Sequence, residues 1–152
     1  MQRIEGKYDF RLPMAELWMK LTDLPFLTRC IPDVASVKET TEQRAALVVK
    51  PGFSFVRGEL NLTLEKIDET PPVMARMRAL TKGVGTTSEV EAAFCLEDVA
   101  GGTRVHWSAD VKELGGLLKA VPQGLVQAAA QRVVLDVMKG IEKNLADASA
   151  KP

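Results

Sequence analysis

The sequence predicts an α+β domain, a one-sided antiparallel sheet backed by one long C-terminal helix. Three observations carry that prediction. Apolar and polar residues alternate with period two over residues 3–10 and again in several segments from Val34 to Leu114, the pattern of strands with one dry and one wet face. Between those regions lie two short pieces with helical spacing. From Gly116 to Ala148 the period changes to three and four, and an amphipathic helix after a one-sided sheet has one natural place to bury its stripe.

In chain order, residues 3–10 set Ile4, Gly6, Tyr8 and Phe10 against Arg3, Glu5, Lys7 and Asp9. Pro13 opens the helical segment MAELWMKLTD, where Leu17, Trp18 and Leu21 share a face, since proline is tolerated at a helix start. A second helical piece, PFLTRC, must stop before Pro32, because the residue before a proline is pushed out of the helical region. Alternation is cleanest in RGELNLTLEKID, with Gly58, Leu60, Leu62 and Leu64 on one face. It continues through Val73, Ala75, Met77 and Ala79, through Val90, Ala92, Phe94 and Leu96, and through Val105, Trp107, Ala109 and Val111.

Pro71-Pro72, Gly83-Val84-Gly85 and Ala100-Gly101-Gly102 punctuate these runs as tight connections. A hairpin centred on Ala100-Gly101 would pair Phe94 with Trp107 and Leu96 with Val105 inside, and Glu97 with Arg104 and Cys95 with His106 outside. In the last third, Leu118, Val121, Leu125, Ala129, Val133, Val137, Ile141 and Leu145 form the expected apolar stripe. Pro122 should start or kink that helix.

The bulk numbers exclude several function classes. With 152 residues the chain can bury about 68–70% of its unfolded surface in one core. Twenty basic and twenty acidic residues cancel, which leaves no electrostatic footprint for a nucleic-acid backbone. No apolar run reaches the roughly 20 residues of a membrane span, and the expected location is cytoplasmic. Two cysteines and one histidine cannot build a zinc module or a multi-histidine metal site, so no metal or other cofactor is expected.

Nucleophilic and acid–base chemistry have few candidates. A reactive cysteine needs a base and a water-accessible, electropositive setting. Cys30, in RCIPDV, has only Arg29 beside it and reads as a packed residue ending a helix. Cys95 opposite His106 is the sharper pair, yet both fall on the open outer face. Glu89 and Glu91, flanked by Arg76, Arg78 and Arg104, read as cross-strand ion pairs. KGVGTT is a hairpin connection, because no helix follows its glycines. The inward surface mixes large and small residues (Leu60, Ala75, Met77, Ala79, Ala92, Phe94, Trp107, Ala109, Ala128 and Ala129); taken alone it fits close packing or a cavity equally well.

One strand, two short helices, a meander and a long helix is the order of the helix-grip fold, a curved seven-stranded antiparallel sheet wrapped around the last helix. The segments IEGKYDF, LTRCIPDV, PGFSFVRGELNLTLEKID and GGTRVHWSADV, with the long helix, resemble the carbon monoxide dehydrogenase G-subunit family, a branch of the START-like SRPBCC superfamily. The resemblance covers nearly the whole chain, read as one domain over 1–148 with a frayed tail at 149–152. It is most specific at the Cys-Ile-Pro segment and the Val-Arg-Gly strand start, and Asp33 stands where the family often has glycine.

The resemblance implies a cavity for an apolar small molecule, a lipid or quinone, opening between hairpin loops and the start of the long helix. The implied ligand-binding residues are Phe53, Phe55, Leu60, Met77, Ala79, Thr81, Val84, Phe94, Trp107, Leu117, Leu118, Leu125, Ala129 and Val133, with Leu114 also at the rim. The implied role is that of a non-catalytic carrier or accessory to a membrane-linked redox enzyme such as a carbon monoxide dehydrogenase-type molybdenum hydroxylase. Longer family members carry a C-terminal segment linked with membrane attachment; for this chain the expectation is transient contact with the inner membrane face through the loop rim. Two alternatives stand beside it. One is an interaction or assembly module with a filled core, using Met74, Leu80, Ala93 and Cys95 on the outer face against a partner or in a homodimer. The other is a cyclase-like enzyme with Tyr8, Thr81 and Ser88 as its polar helpers.

Overall fold

In the computed structural model, which describes the backbone of residues 2–52 and 58–150 and the side chains of residues 3–52 and 58–145, the alternating segments form one curved antiparallel sheet. Its strands are β1 (Gln2–Phe10), β2 (Val34–Thr40), β3 (Arg44–Val49), β4 (Leu60–Thr70), β5 (Met74–Gly83), β6 (Thr86–Val99) and β7 (Gly102–Gly116). Their order is β1-β7-β6-β5-β4-β3-β2. The meander from β2 to β7 is thus completed by the first strand, which pairs with the last from Gln2–Val111 to Phe10–Thr103. Helices α1 (Met14–Leu21) and α2 (Leu24–Thr28) follow β1, and α3 (Gln123–Ala150) follows β7 after a 3-10 turn at Leu117–Ala120.

Local chemistry explains the boundaries. The Pro13 carbonyl accepts the first bond of α1 from Leu17 N–H, and Asp23 caps α2 by accepting from Phe26 N–H. Asp33 joins α2 to β2 with φ 61°, a left-handed conformation that Asp and Asn tolerate better than most residues. Pro122 starts α3, its carbonyl accepting from Leu125 and Val126 N–H. The β6–β7 register pairs Phe94 with Trp107, Cys95 with His106, Leu96 with Val105 and Glu97 with Arg104, as a turn at Ala100-Gly101 requires. A register shift between Glu89 and Val90 then moves the last stretch of β7 by one residue, so Ser88 faces Leu114. Val73 is outside β5 and 43% exposed, so the inward face of that strand starts at Ala75.

Two close approaches set the layers. A Cβ at Gly6 would lie 2.7 Å from Trp107 Cζ2, so the bare glycine lets the indole of its register partner lie across β1. A Cβ at Gly140 would lie 2.5 Å from the Cys30 carbonyl oxygen, and that gap in the side chains lets α3 press on the end of α2. Around this contact sits the main core, with Phe10, Leu17, Leu24, Phe26, Val105 and Ile141 each at most 3% exposed. A second, smaller cluster of Leu47, Val49, Leu60 and Leu118 lies apart from it.

Candidate ligand cavity

The inward side chains between those two clusters face the interior without being fully covered. Met77, Ala79, Phe94 and Trp107 are half-buried and pack against the main core, Phe94 with its ring edge-on to Trp18 at 5.8 Å between centroids. The first turns of α3 stand off from β6 and β7 and leave between them a cavity of about 140 Å³ that is open on one side. Its walls are Ser88 and Val90 of β6, Val111 and Leu114 of β7, Leu118 of the 3-10 turn, and Val126, Ala129, Ala130 and Val133 of α3. Small side chains at 129 and 130 create the space, and Ser88 is the only polar residue in the lining. A wider trough of about 1030 Å³ at the other end has Asp9, Arg11 and Glu142 in its walls. It is lined with charge, so entering it desolvates polar groups and offers an apolar ligand little gain.

The residues expected to bind a ligand fall into four groups. Leu118, Ala129 and Val133 line the cavity. Met77, Ala79, Phe94 and Trp107 do not line it and pack against the main core instead, while Thr81 is the register partner of the lining residue Ser88. Leu60 is buried in the smaller cluster. Val84, Leu117 and Leu125 are 44%, 66% and 50% exposed, so Leu125 is not on the buried stripe of α3. The fully buried positions of α3 are Val126, Met138 and Ile141: Ile141 is on the expected stripe, whereas Val126 and Met138 each stand one residue beyond it, and Val126 and Ala130 join the expected Ala129 and Val133 at the cavity. Phe53 and Phe55 lie outside the described residues. Val90 and Val111 were legible as inward-facing positions, whereas nothing in the sequence separated Val126 from Leu125.

The rim is held by backbone contacts. Leu117 N–H donates to the Gly85 carbonyl, which ties the 3-10 turn to the β5–β6 hairpin. Val84 and Gly85 both have positive φ, 44° and 76°, the combination that a type I′ hairpin turn needs. For a β-branched residue such as Val84 that conformation is strained.

The polar candidates are not assembled into one site. Thr81 and Ser88 are register partners whose hydroxyls hydrogen-bond each other. Tyr8 is level with Val105 and Leu96, eight residues further along β6, or about 26 Å at strand rise. Its phenol is pushed up by burial and then by the charge and hydrogen bond of Glu142. Cys30 is buried, donates to the Phe26 carbonyl and accepts from Asn144. Burial raises its thiol to about 11, the setting of a packed cysteine and not of a nucleophile.

On the outer face His106 Nε2 lies 2.8 Å from Glu97 Oε1, and the hydrogen bond holds the Glu97 carboxyl below its usual range. Glu89 and Glu91 pair with Arg78 and with Arg76 and Lys112. Arg104 pairs instead with Asp9 across the β1–β7 ladder, so it does not flank the two glutamates. Among the described residues no three potential metal ligands cluster, and no helix is long and apolar enough to cross a membrane.

A curved antiparallel sheet gripping a long C-terminal helix is the START-like fold, and the solved structures agree on it. A conserved protein from Geobacillus kaustophilus superposes with a TM-score of 0.86 at 22% identity, over 96% of each chain. A START superfamily protein from Mycobacterium smegmatis gives 0.70 at 10% identity over 95% of this chain and 97% of its own. Ara h 8.0201 gives 0.68 at 13% over 96% and 98%. No curated protein matches. The family model of the carbon monoxide dehydrogenase G-subunit (CoxG) matches residues 6–146, and the chain belongs to that family.

Proposed function

We propose that this protein is a non-catalytic carrier that holds an apolar small molecule, a lipid or quinone, between its sheet and α3. In this reading it serves as accessory to a membrane-linked redox enzyme of the carbon monoxide dehydrogenase type, working in the cytoplasm and touching the inner membrane face through its rim. One observation carries the reading: a cavity between the sheet and α3 with eight apolar walls and one hydroxyl-bearing one. Each 100 Å² of ligand apolar surface taken from water contributes roughly 2.5 kcal/mol, so binding needs no charged anchor. The exposed Val84, Leu117 and Leu125 suit a rim that a greasy ligand crosses. The space left between Val90, Val111 and Ala129 weighs against an assembly module with a filled core, and the separation of Tyr8 from Ser88 weighs against a cyclase using both.

Mass spectrometry of an organic extract of the natively purified protein tests this directly. A stoichiometric lipid or quinone is expected, and Ala129→Trp, which fills the cavity, should abolish its retention while the circular dichroism stays native. An empty extract, together with no uptake of added ubiquinone or phospholipid, would reject the carrier role.

A further inference from the structure

Ser88 sits on the cavity wall among Val90, Val111 and Leu114, with Thr81 as its neighbour across β5 and β6. The two hydroxyls bond each other on the inward face of the sheet. Between them they own two hydrogens, and the mutual bond consumes one. Among the described residues no other side-chain bond engages either group. One O–H is thus left over at the wall of a half-open apolar cavity, where water takes it in the empty protein and a ligand that displaces the water must replace that bond or lose it. Alanine and valine would line the same space for a plain hydrocarbon at no such cost. No charged residue lines the cavity, so the missing acceptor is a neutral oxygen and not an anion.

We infer that Thr81 and Ser88 are specificity-determining residues that donate to a carbonyl or hydroxyl oxygen on an otherwise apolar ligand, setting that oxygen at the β5–β6 hairpin end. The inference rests on the cavity being a ligand site, as proposed above, and adds which atoms read the ligand's polar end. An apolar cavity of about 150 Å³ accommodates a benzene ring, so ring-sized probes suit this one.

The test uses acetophenone and ethylbenzene, which share a shape and differ by a carbonyl in place of a methylene. Affinities come from amide-shift NMR titrations of the wild type, Ser88→Ala, and Ser88→Ala combined with Thr81→Val. The double variant should weaken acetophenone about fivefold, the usual worth of one hydrogen bond, while changing ethylbenzene less than about twofold. Ser88→Ala alone removes a single oxygen atom and gives the same contrast at smaller size if the double variant folds poorly. Equal changes for both probes, or none for acetophenone, would overturn the inference and leave the carrier reading standing. Failure of the wild type to bind either probe would instead remove the ligand site itself, and the inference with it.

Discussion

The two ends of α3 meet the same sheet under opposite packing regimes. Toward the C-terminus, Met138 and Ile141 are sealed by α1, α2 and β1, and Gly140 gives up its side chain so that backbones can touch. Toward the N-terminus no short helix intervenes, Ala129 and Ala130 fall short of the sheet, and Val133 remains 36% exposed. Amphipathic period alone therefore does not produce a core. The closed end is closed because α1 and α2 supply Leu17, Trp18, Leu24 and Phe26 as filler, and among the described residues no such element fills the open end.

Truncations should expose this contrast most strongly. Ile141→Ala, at a site 1% exposed, is expected to cost about 2–5 kcal/mol, whereas Val133→Ala should stay within about 0.5 kcal/mol. Urea titrations of both variants check it, and similar losses would mean the two ends pack alike. The two helix glycines form the next pair. A Cβ at Gly124 meets nothing within 4 Å, so Gly124→Ala should gain about 0.5 kcal/mol from helix propensity. Gly140→Ala gains the same propensity but drives its methyl into the Cys30 carbonyl, and a net loss of about 1–3 kcal/mol is expected.

A pH profile sharpens the comparison further, because Cys30 reports on the closed end alone. Its thiol is raised to about 11 from an ordinary value of 9.0, so the native state favours the protonated form. That contribution is complete below pH 9 and fades as pH rises toward 11. Stability measured by urea titration at each pH should therefore fall by about 2 kcal/mol more across that window in the wild type than in Cys30→Ala. The smallest effect belongs to the outer face. Arg76 holds Asp68 below its usual range, which stabilises the fold above that range and is lost as pH falls. Asp68→Asn should flatten the acid limb of the melting profile and barely move the neutral midpoint, because the pair is exposed.

Much of this was legible in the residues. Strand faces follow from alternation with period two, and the Ala100-Gly101 turn specifies the partners of Phe94, Cys95, Leu96 and Glu97 because a one-residue slip would turn Trp107 outward. Cys30 as a packed helix end also follows from Pro32. The choice between neighbours such as Leu125 and Val126 was not legible, because apolar residues occur on both faces of α3, with Val133, Val134 and Leu135 in a row. Only the space left by α1 and α2 decides which of them turns inward. The shift between Glu89 and Val90 leaves no mark in composition, yet it is what sets Ser88 opposite Leu114 at the cavity.

The pairing of β1 with β7 carries a consequence in time as well as in space. The Thr103 hydroxyl reaches the Leu12 carbonyl across 91 residues, and the whole of β1 takes its partners from Gly102 onward. On the ribosome, the first strand emerges with no ladder to join and must wait until the seventh has been synthesised. Contacts so distant along the chain slow folding by the loop entropy they close. The nascent protein thus spends most of its synthesis with an unpaired edge exposed, the kind of segment that chaperones bind.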